Sequence, residues 1–473
     1  MTNIHFSVYN DLYIKIDADD VGVIRDVEEY LTDYKKGYLF MPRYRSGIWN
    51  GKISIFNKPT RSFPYGLLPE VLKHLKKEWS EDVKLSMDSS VKELFGSGNK
   101  PEYSYNLNFQ PYPYQRECIE ALVKATKGLV IVATAGGKSL IIAYIIKNLP
   151  VETSKTLIIV PTLQLVDQFK GDLIDYGFQE DSIGSVNASK KEFDKQVVIS
   201  TWQSLKNTIG KVELFDAIIC DEVHTAAADT ISGILKDARN AKYRFGVTGT
   251  LPTNRLDALT VQSFIGPVLK TFTGRDLADL GYVSKCVIKQ VHIKYNKSFG
   301  SDYNTIRDEV FISPFRLGVL RGLAKDTTNT MLILVERIEK EGVILEAYLR
   351  EQLPEKTIIF LSGKDKSSVR DIWRKDMNER KNIVCIATYP IFQQGVNIPA
   401  LREIVLASST KSFIRVIQSL GRTLRKHVSK ELGGAIMWDI CDDVKHLKDH
   451  AVSRYKHYVK EKHEVEEILI EER

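Results

Sequence analysis

Small residues followed by a lysine and a serine form the strongest chemical signal in the chain. In the segment IVATAGGKSL an apolar run ends at Thr134, a turn of small residues spans 135–137, and Lys138 and Ser139 open an apolar helix. Such a turn lets backbone N–H groups approach phosphate oxygens, and the lysine can reach the outer phosphates while the serine holds Mg²⁺. Val132 stands where the pattern GxxxxGK[ST] has its first glycine. Because of this mismatch, an ordinary strand-to-helix turn with a solvated lysine remains an alternative interpretation.

Two adjacent carboxylates end a second apolar run. In AIICDEVH, Asp221 and Glu222 follow four apolar residues. An acid at a strand end can orient Mg²⁺ beside a phosphate-binding turn, and its neighbour can polarise an attacking water. Alone, such a pair is commonly an exposed loop. Its place about two strands after the phosphate-binding turn favours the catalytic interpretation.

Two arginines in IQSLGRTLRKH form the third signal. Arg422 and Arg425 are three residues apart and therefore lie on one face of a helical turn. An arginine supplied from outside the phosphate-binding unit can neutralise the charge that develops on a γ-phosphate. A solvated basic helix end is the alternative.

Short β-branched runs that alternate with helical-length segments must position these residues. The runs fall into two series, 128–134, 156–160, 197–200, 217–220 and 244–248, then 330–335, 357–363, 382–388, 402–408 and 435–440. Each series predicts buried parallel strands with helices between them. Because a less regular stretch, roughly 273–325, separates the two series, the sequence predicts two doubly wound α/β domains.

The first hundred residues segregate their charges. The segment 34–69 contains no acid, eight aromatics and seven basic residues, Lys35, Lys36, Arg43, Arg45, Lys52, Lys58 and Arg61. The basic side chains can neutralise phosphates while aromatics such as Tyr38, Phe40, Tyr44, Trp49 and Phe56 stack on unpaired bases. Core packing of these aromatics is the alternative. A polar, Gly/Pro-punctuated stretch at 95–108 is predicted to be a linker.

Length and composition indicate a multidomain globular protein. The 473 residues carry a net charge of +7, which permits a nucleic-acid partner without requiring one. No secretory signal or membrane-spanning run is readable, and five scattered cysteines fit buried thiols in a reducing compartment. We therefore expect a cytoplasmic protein with no membrane partner and three domains at 1–100, 101–285 and 286–473.

The order of motifs over residues 110–427 resembles that of the superfamily-2 helicases. The resembling segments are YPYQRECIEAL around Gln115, ATAGGKS (133–139), PTLQLVDQ (161–168), STWQSL (200–205), DEVH (221–224), VTGT (247–250), ATYPIFQQGVNIP (387–399) and QSLGRTLR (418–425). The resemblance implies two tandem RecA-like parallel-sheet domains preceded by a small α+β domain. It also implies an ATP- and Mg²⁺-dependent enzyme in which ATP lies between the two RecA-like domains.

Site residues follow from the same resemblance. Nucleotide would contact Tyr112, Gln115, Ala135, Gly136, Gly137, Lys138, Ser139, Gly395 and Asn397, with Mg²⁺ on Ser139 and Asp221. Glu222 would activate water, His224 and Gln418 would couple the γ-phosphate to domain closure, and Arg422 and Arg425 would act as arginine fingers. By the same resemblance, nucleic acid would contact Thr162, Thr201 and Thr388. From the acid-free segment, Arg43, Arg45, Trp49 and Lys52 are further candidates for contact with nucleic acid. The family commonly has Asp at the position of Asn397, and Asn keeps a hydrogen bond there but loses the charge.

Residues 30–445 also resemble the UvsW-type recombination helicases of large bacteriophages, with a similar aromatic and basic segment at 40–68. This resemblance implies remodelling of branched DNA by fork regression, branch migration of four-way junctions and dissociation of D-loops and R-loops. It implies a protein of the host cytoplasm that works as a monomer, with recombination or replication proteins as further partners. Because only 18 residues separate Pro399 from Gln418, no long strand-separating hairpin fits there. We therefore expect the N-terminal domain to recognise the branch and help part the strands.

Three alternatives remain at this point. A duplex-DNA translocase of a restriction or remodelling system would be favoured by a nuclease or methylase segment, and none is readable. An RNA helicase stays open because the motor motifs contact the backbone. A non-catalytic binding protein would need a broken lysine, acid or arginine position.

The segment after Asp443 is predicted to form one helix. Its basic side chains would contact DNA or face solvent; they are Lys445, Lys448, Arg454 and Lys456.

Overall fold

The structure is a computed structural model that describes residues 2–79, 83–95, 102–150, 155–206, 208–223, 228–252, 254–283, 285–380, 382–389, 398, 401–408, 434–460 and 463–473. These residues form two compact units. The first comprises Met1–Val132 and Gly137–Thr271, and the second comprises Ala133–Gly136 and Phe272–Arg473. No helix among the described residues is both long and apolar enough to cross a lipid bilayer.

A four-stranded mixed sheet begins the first unit. Its strands are β1 (Thr2–Asn10), β2 (Tyr13–Ala18), β5 (Ser62–Pro64) and β6 (Val83–Met87), in the order β5-β2-β1-β6. A separate antiparallel ribbon pairs β3 (Thr32–Tyr34) with β4 (Lys52–Ser54). The helices are α1 (Val21–Tyr30), α2 (Pro42–Arg45), α3 (Leu68–Glu78) and α4 (Ser89–Glu93). Alternate residues such as Ile4 and Phe6 are fully buried, as expected for a sheet with one core face.

A seven-stranded sheet follows in the order β13-β7-β12-β11-β8-β10-β9, and every pair with a defined register is parallel. The strands are β7 (Lys127–Val132), β8 (Thr156–Val160), β9 (Ile183–Val186), β10 (Val197–Thr201), β11 (Ala217–Asp221), β12 (Tyr243–Thr248) and β13 (Val268–Phe272). The helices are α5 (Pro113–Ala125), α6 (Lys138–Lys147), α7 (Leu163–Asp175), α8 (Trp202–Lys206), α9 (Ala228–Asp237) and α10 (Arg255–Ile265). All five predicted strands are present, and β9 and β13 were not predicted.

The N-terminal sheet and this parallel sheet pack against each other within the first unit. The Tyr65 hydroxyl donates a 2.6 Å hydrogen bond to the carbonyl oxygen of Phe264. A Cβ on Gly66 would lie 1.9 Å from the carbonyl oxygen of Gln262, so only glycine fits there. The Lys127 ammonium lies 4.5 Å from the centre of the Tyr65 ring, and burial lowers the pKa of Lys127 to about 8. The two sheets therefore share a closely fitted contact with buried polar groups.

A second seven-stranded sheet, in the second unit, has the order β16-β17-β15-β18-β19-β14-β20, again with parallel pairs throughout. Its strands are β14 (Cys286–Lys294), β15 (Met331–Val335), β16 (Thr357–Leu361), β17 (Ile383–Thr388), β18 (Glu403–Leu406), β19 (Ala435–Asp442) and β20 (Glu464–Glu471). The helices are α11 (Gly274–Asp279), α12 (Tyr303–Phe311), α13 (Pro314–Asp326), α14 (Ile344–Gln352), α15 (Ser367–Glu379) and α16 (Lys445–Lys460). The predicted class, two tandem RecA-like parallel-sheet domains after a small α+β domain, is confirmed.

The prediction of a single C-terminal helix is wrong. Helix α16 ends at Lys460, and β20 pairs in parallel with β14 at the edge of the sheet. Glutamates of β20 pair with cations of β14, for example Glu466 with Lys289 at 3.2 Å, and such charges protect an exposed strand edge. The expectation that Arg454 contacts DNA or faces solvent is also wrong. Its side chain is buried and forms an ion pair of 2.8 Å with Asp439.

Candidate active site

A strand-to-helix turn forms the centre of the candidate site. β7 ends at Val132 and α6 begins at Lys138. Ala135 and Gly137 both have left-handed backbone angles, with φ of +70° and +66°. A Cβ on Gly137 would lie 2.4 Å from Nε2 of Gln115, so this turn needs a glycine at its last position. The geometry aims the N-terminus of α6 at the space where a phosphate could bind.

The lysine of this turn lies against the acidic pair. Nζ of Lys138 is 3.1 Å from Oε1 of Glu222, and both side chains are mostly buried. The contact arises because β7 and β11 run parallel, with only β12 between them, so their carboxyl ends meet at one edge of the sheet. The sequence prediction that these residues share one site is consistent with this placement.

Asp221 ends β11 in a buried position. Burial and the adjacent negative charge of Glu222 raise the pKa of Asp221 to about 7. Its Oδ1 atom has no hydrogen-bond partner among the residues that the structure describes. A buried carboxylate oxygen that lacks a protein donor, close to a lysine and a second carboxylate, is a suitable ligand for a divalent cation.

Glu222 is held in a strained conformation by the segment VTGT. Its φ is +48°, which is unfavourable for a residue with a side chain and is typical of functional sites. The backbone N–H of Gly249 donates to Oε2 of Glu222 at 3.1 Å, and the hydroxyl of Thr248 donates to the same oxygen at 3.3 Å. Sequence analysis recognised VTGT as a motif but assigned no role to Thr248 or Gly249. The structure gives both the task of orienting the carboxylate.

The other side of the turn carries the residues predicted to bind a base. Gln115 is buried, and its Oε1 accepts a 2.8 Å hydrogen bond from the backbone N–H of Tyr112. The Tyr112 side chain is 54% exposed. Since the amide of Gln115 also lies directly over Gly137, a base bound here would be sensed next to the phosphate-binding turn.

Ser139 has a partner that sequence analysis missed. Its hydroxyl oxygen lies 2.8 Å from the hydroxyl of Tyr176, the residue that follows α7. Tyr176 is itself held in place because its carbonyl accepts from the N–H of Asn108 at 3.1 Å and its ring meets the edge of Phe109. The turn between α7 and the next strand carries no recognisable motif. Only the fold brings Tyr176 to the start of α6.

The three threonines predicted to contact nucleic acid differ in exposure. Thr162 is exposed and caps α7 through the N–H of Leu165, whereas Thr201 and Thr388 are buried at the ends of β10 and β17. The hydroxyl of Thr201 is 3.0 Å from that of Ser204, inside the protein. Contacts of these threonines with a nucleic-acid strand stay predictions.

Six predicted site residues lie outside the described part of the chain. They are His224, Gly395, Asn397, Gln418, Arg422 and Arg425. Their roles therefore stay predictions. Arg43, Arg45, Trp49 and Lys52 are described and lie on or beside the loop that joins β3 to β4.

Comparison with known families and proteins agrees with this geometry. Residues 108–253 match the family described as type III restriction enzyme, res subunit. Residues 2–88 match the N-terminal domain of the DNA helicase UvsW, and residues 316–427 match the helicase conserved C-terminal domain. Together these matches include the phosphate-binding turn, the acidic pair and the arginine segment.

Individual relatives extend the similarity along the chain. The ATP-dependent DNA helicase uvsW of Enterobacteria phage T4 is 26% identical, over 97% of this chain and 97% of its own length. The DNA 3'-5' translocase XPB2 of Sulfurisphaera tokodaii is 24% identical, over 66% of this chain and 78% of its own length. A solved structure of the type ISP restriction-modification enzyme LlaBIII bound to DNA shares the fold over 85% of this chain and 36% of its own, with a TM-score of 0.60 and 14% identity. The chain therefore has the superfamily-2 helicase fold and is similar to a UvsW helicase along nearly its whole length.

Proposed function

We propose that this ATP-dependent DNA helicase remodels branched DNA, including forks, four-way junctions, D-loops and R-loops. The observation that carries the proposal is the contact between Lys138 and Glu222 beside Oδ1 of Asp221, which has no hydrogen-bond partner among the described residues. The groups proposed to bind phosphate, hold the metal and activate water thus lie close together at one edge of a parallel sheet. The basic and aromatic segment without acids, residues 34–69, lies in the same unit as Lys138 and Glu222.

Nucleotide binding requires rearrangement of the Lys138–Glu222 pair. When the outer phosphates arrive, Lys138 exchanges the carboxylate for phosphate oxygens, and Glu222 is released to orient a water. Thr248 and Gly249 keep the Glu222 carboxylate in position during this exchange, because both donate to the oxygen that Lys138 does not contact. The pair thus couples the arrival of ATP to activation of the water.

The donor set fits Mg²⁺. Asp221 and Ser139 would hold the ion, which would neutralise charge on the β- and γ-phosphates during transfer. If the Ser139 oxygen held the ion, the Ser139 hydroxyl would donate to the hydroxyl of Tyr176, which would orient the serine. Gln418, Arg422 and Arg425 complete the proposal, with the arginines stabilising the γ-phosphate in the transition state.

A duplex-DNA translocase is the second candidate. It is supported by the match of residues 108–253 to a restriction-enzyme subunit and by the relative named as a 3'-5' translocase. A translocase of this kind moves along intact duplex without separating its strands. Displacement of a third strand from a DNA triplex, without unwinding of a fork, is its expected signature.

The experiment that tests the proposal is a substrate panel. ATP hydrolysis and strand separation are measured on single strands, plain duplex, forks, four-way junctions, R-loops, a triplex and an RNA duplex. We expect forks, junctions and R-loops to be unwound at least tenfold faster than plain duplex. Equal rates on plain and branched DNA would contradict the preference for branches, and unwinding of the RNA duplex alone would favour an RNA helicase.

A further inference from the structure

The loop between β3 and β4 is a small ordered structure, which we call the knob (residues 35–51). The antiparallel pairing of Tyr34 with Lys52 closes its base. Inside it are a 3₁₀ turn at Tyr38–Phe40 and the short helix α2. The N–H of Trp49 donates to the carbonyl of Arg43, and the Trp49 indole donates to the carbonyl of Lys52 at 2.8 Å. The knob therefore has its own hydrogen-bonded framework.

Aromatic rings fill the interior of the knob. The Tyr38 ring stacks on that of Tyr34 at 4.5 Å and meets the edge of Tyr44 at 4.8 Å. Gly51 has a φ of +83°, and a Cβ there would lie 2.4 Å from the Tyr38 ring. Tyr38 and Tyr44 are half-buried, and other side chains of the knob are more exposed.

The knob exposes three large apolar side chains, which we call the tip, and three basic side chains. Leu39, Phe40 and Ile48 are 52%, 75% and 74% exposed, which is unusual for large apolar side chains so close together in sequence. Lys36, Arg43 and Arg45 are exposed too, and no carboxylate among the described residues pairs with any of them. Uncompensated positive charge of this density selects a polyanion.

The base of the knob is attached to the parallel sheet that carries the nucleotide site. Arg255, the first residue of α10, donates to the carbonyl of Tyr30 at 2.6 Å and lies 3.7 Å from the carboxylate of Asp33. α10 follows the segment VTGT, whose Thr248 and Gly249 contact Glu222. The knob is therefore fixed to the unit that carries Lys138 and Glu222. Arg255 lies six residues after Gly249, which contacts Glu222.

We propose that the tip formed by Leu39, Phe40 and Ile48 is a wedge that enters the base stack at a DNA branch point. The surrounding lysine and arginines hold the flanking phosphates. Apolar side chains that insert between base steps unstack them, and positive charges beside the wedge offset the cost. The inference rests on the proposed function and names the part of the protein that meets the branch.

Base unstacking is the most direct readout of a wedge. A fork carrying 2-aminopurine next to the branch point becomes more fluorescent when that base is unstacked. Wild type is expected to raise the fluorescence without ATP, and Phe40→Ala is expected to lose most of the increase. Val21→Ala is the matched control, because Val21 is 72% exposed in the same small sheet domain but outside the knob. Fluorescence that Phe40→Ala leaves unchanged would overturn the proposal.

Coupling between hydrolysis and strand separation gives a second readout. We expect Phe40→Ala to separate about tenfold fewer base pairs per ATP on a fork. A loss of this size is comparable to the loss of one base stack. Phe40→Trp should restore the wild-type ratio. An unchanged ratio would contradict a wedge. A loss of binding to anionic phospholipid vesicles in Phe40→Ala, with normal fork unwinding, would assign the tip to a membrane instead.

Failure of this inference can be distinguished from failure of the proposed function. If wild type does not unwind forks at all, the proposed function is wrong. If wild type unwinds forks and Phe40→Ala does so equally well, only the wedge is wrong. Thermal unfolding of each variant verifies that exposed-site substitutions leave the fold intact.

Discussion

The ion pair of the candidate active site and the knob lie in one compact unit but differ in how their charges are compensated. In the active site, Lys138 and Glu222 neutralise each other in a mostly buried position. On the knob, Arg43 and Arg45 are exposed and no described carboxylate pairs with them. The buried lysine is already paired with a carboxylate, so it can exchange that carboxylate for a phosphate group, which is also negatively charged. An exposed, unpaired charge attracts a partner from a distance, and its effect depends on salt.

Substitution of Glu222 by glutamine is expected to have the largest effect. The amide oxygen still accepts from Gly249 and Thr248, but the charge that orients and activates water is lost. ATP hydrolysis should fall by about 10²- to 10⁴-fold, while binding of a fluorescent ATP analogue persists. Glu192→Gln is the matched control, because Glu192 also accepts from a backbone N–H, that of Ser185, away from the site. Hydrolysis within tenfold of wild type would contradict the role of Glu222.

Removal of both knob arginines is expected to have the next largest effect. Arg43→Ala with Arg45→Ala should weaken binding to single-stranded DNA about tenfold or more at low salt. The slope of log affinity against log salt should become shallower by about 1.4, because two phosphate contacts are lost. Arg25→Ala is the control, since Arg25 is exposed in the same domain but pairs with Glu29 at 3.1 Å. An unchanged salt slope would show that these arginines do not contact phosphates.

The pH dependence of stability tests the burial of Asp221. Its pKa is raised to about 7 in the folded protein, so the metal-free protein is stabilised by the neutral form at low pH and loses that stability as the pH rises through about 7. Asp221→Asn removes this loss. The variant should be more stable than metal-free wild type at pH 8, by on the order of 1–3 kcal/mol, with a smaller difference at pH 5. Thermal unfolding in the presence of a chelator measures both values, and a pH-independent difference would contradict the assignment.

Loss of the Tyr176 hydroxyl is expected to have the smallest effect. Tyr176→Phe removes the acceptor that orients Ser139, a hydrogen bond worth about 1 kcal/mol. The Mg²⁺ concentration for half-maximal ATP hydrolysis should therefore rise about two- to fivefold, while the maximal rate changes little. Tyr105→Phe is a suitable control, because it removes a tyrosine hydrogen bond of 2.8 Å to Glu120 in the same unit. Equal Mg²⁺ requirements in wild type and Tyr176→Phe would exclude this positioning role.

The strands that were predicted from the sequence are those with uninterrupted apolar runs. Residues 217–220 and 331–335 are examples, because strands buried on both faces need apolar side chains on both faces. The strand Glu464–Glu471 was missed, since its glutamates resemble a solvated helix and its identity depends on pairing with β14. Arg454 looked like a surface cation for the same reason, although Asp439 pairs with it in the interior.

The site shows the same division between local pattern and tertiary contact. Lys138, Asp221 and Glu222 were predicted because their spacing and their position at strand ends carry the signal. Tyr176 was not, because its contact with Ser139 spans 37 residues and no motif marks it. In the aromatic segment, sequence could not separate Phe56, which is in the core, from Phe40, which is exposed. Composition alone does not tell which side of a small domain an aromatic occupies.

The most direct test of the account is strand separation on a DNA fork by wild type and by Lys138→Ala, with ATP and Mg²⁺ present. The account predicts that wild type hydrolyses ATP and separates the strands. Lys138→Ala should bind the fork with similar affinity but neither hydrolyse ATP nor separate strands. ATP hydrolysis or fork unwinding retained in Lys138→Ala would contradict the assignment of this site as the motor.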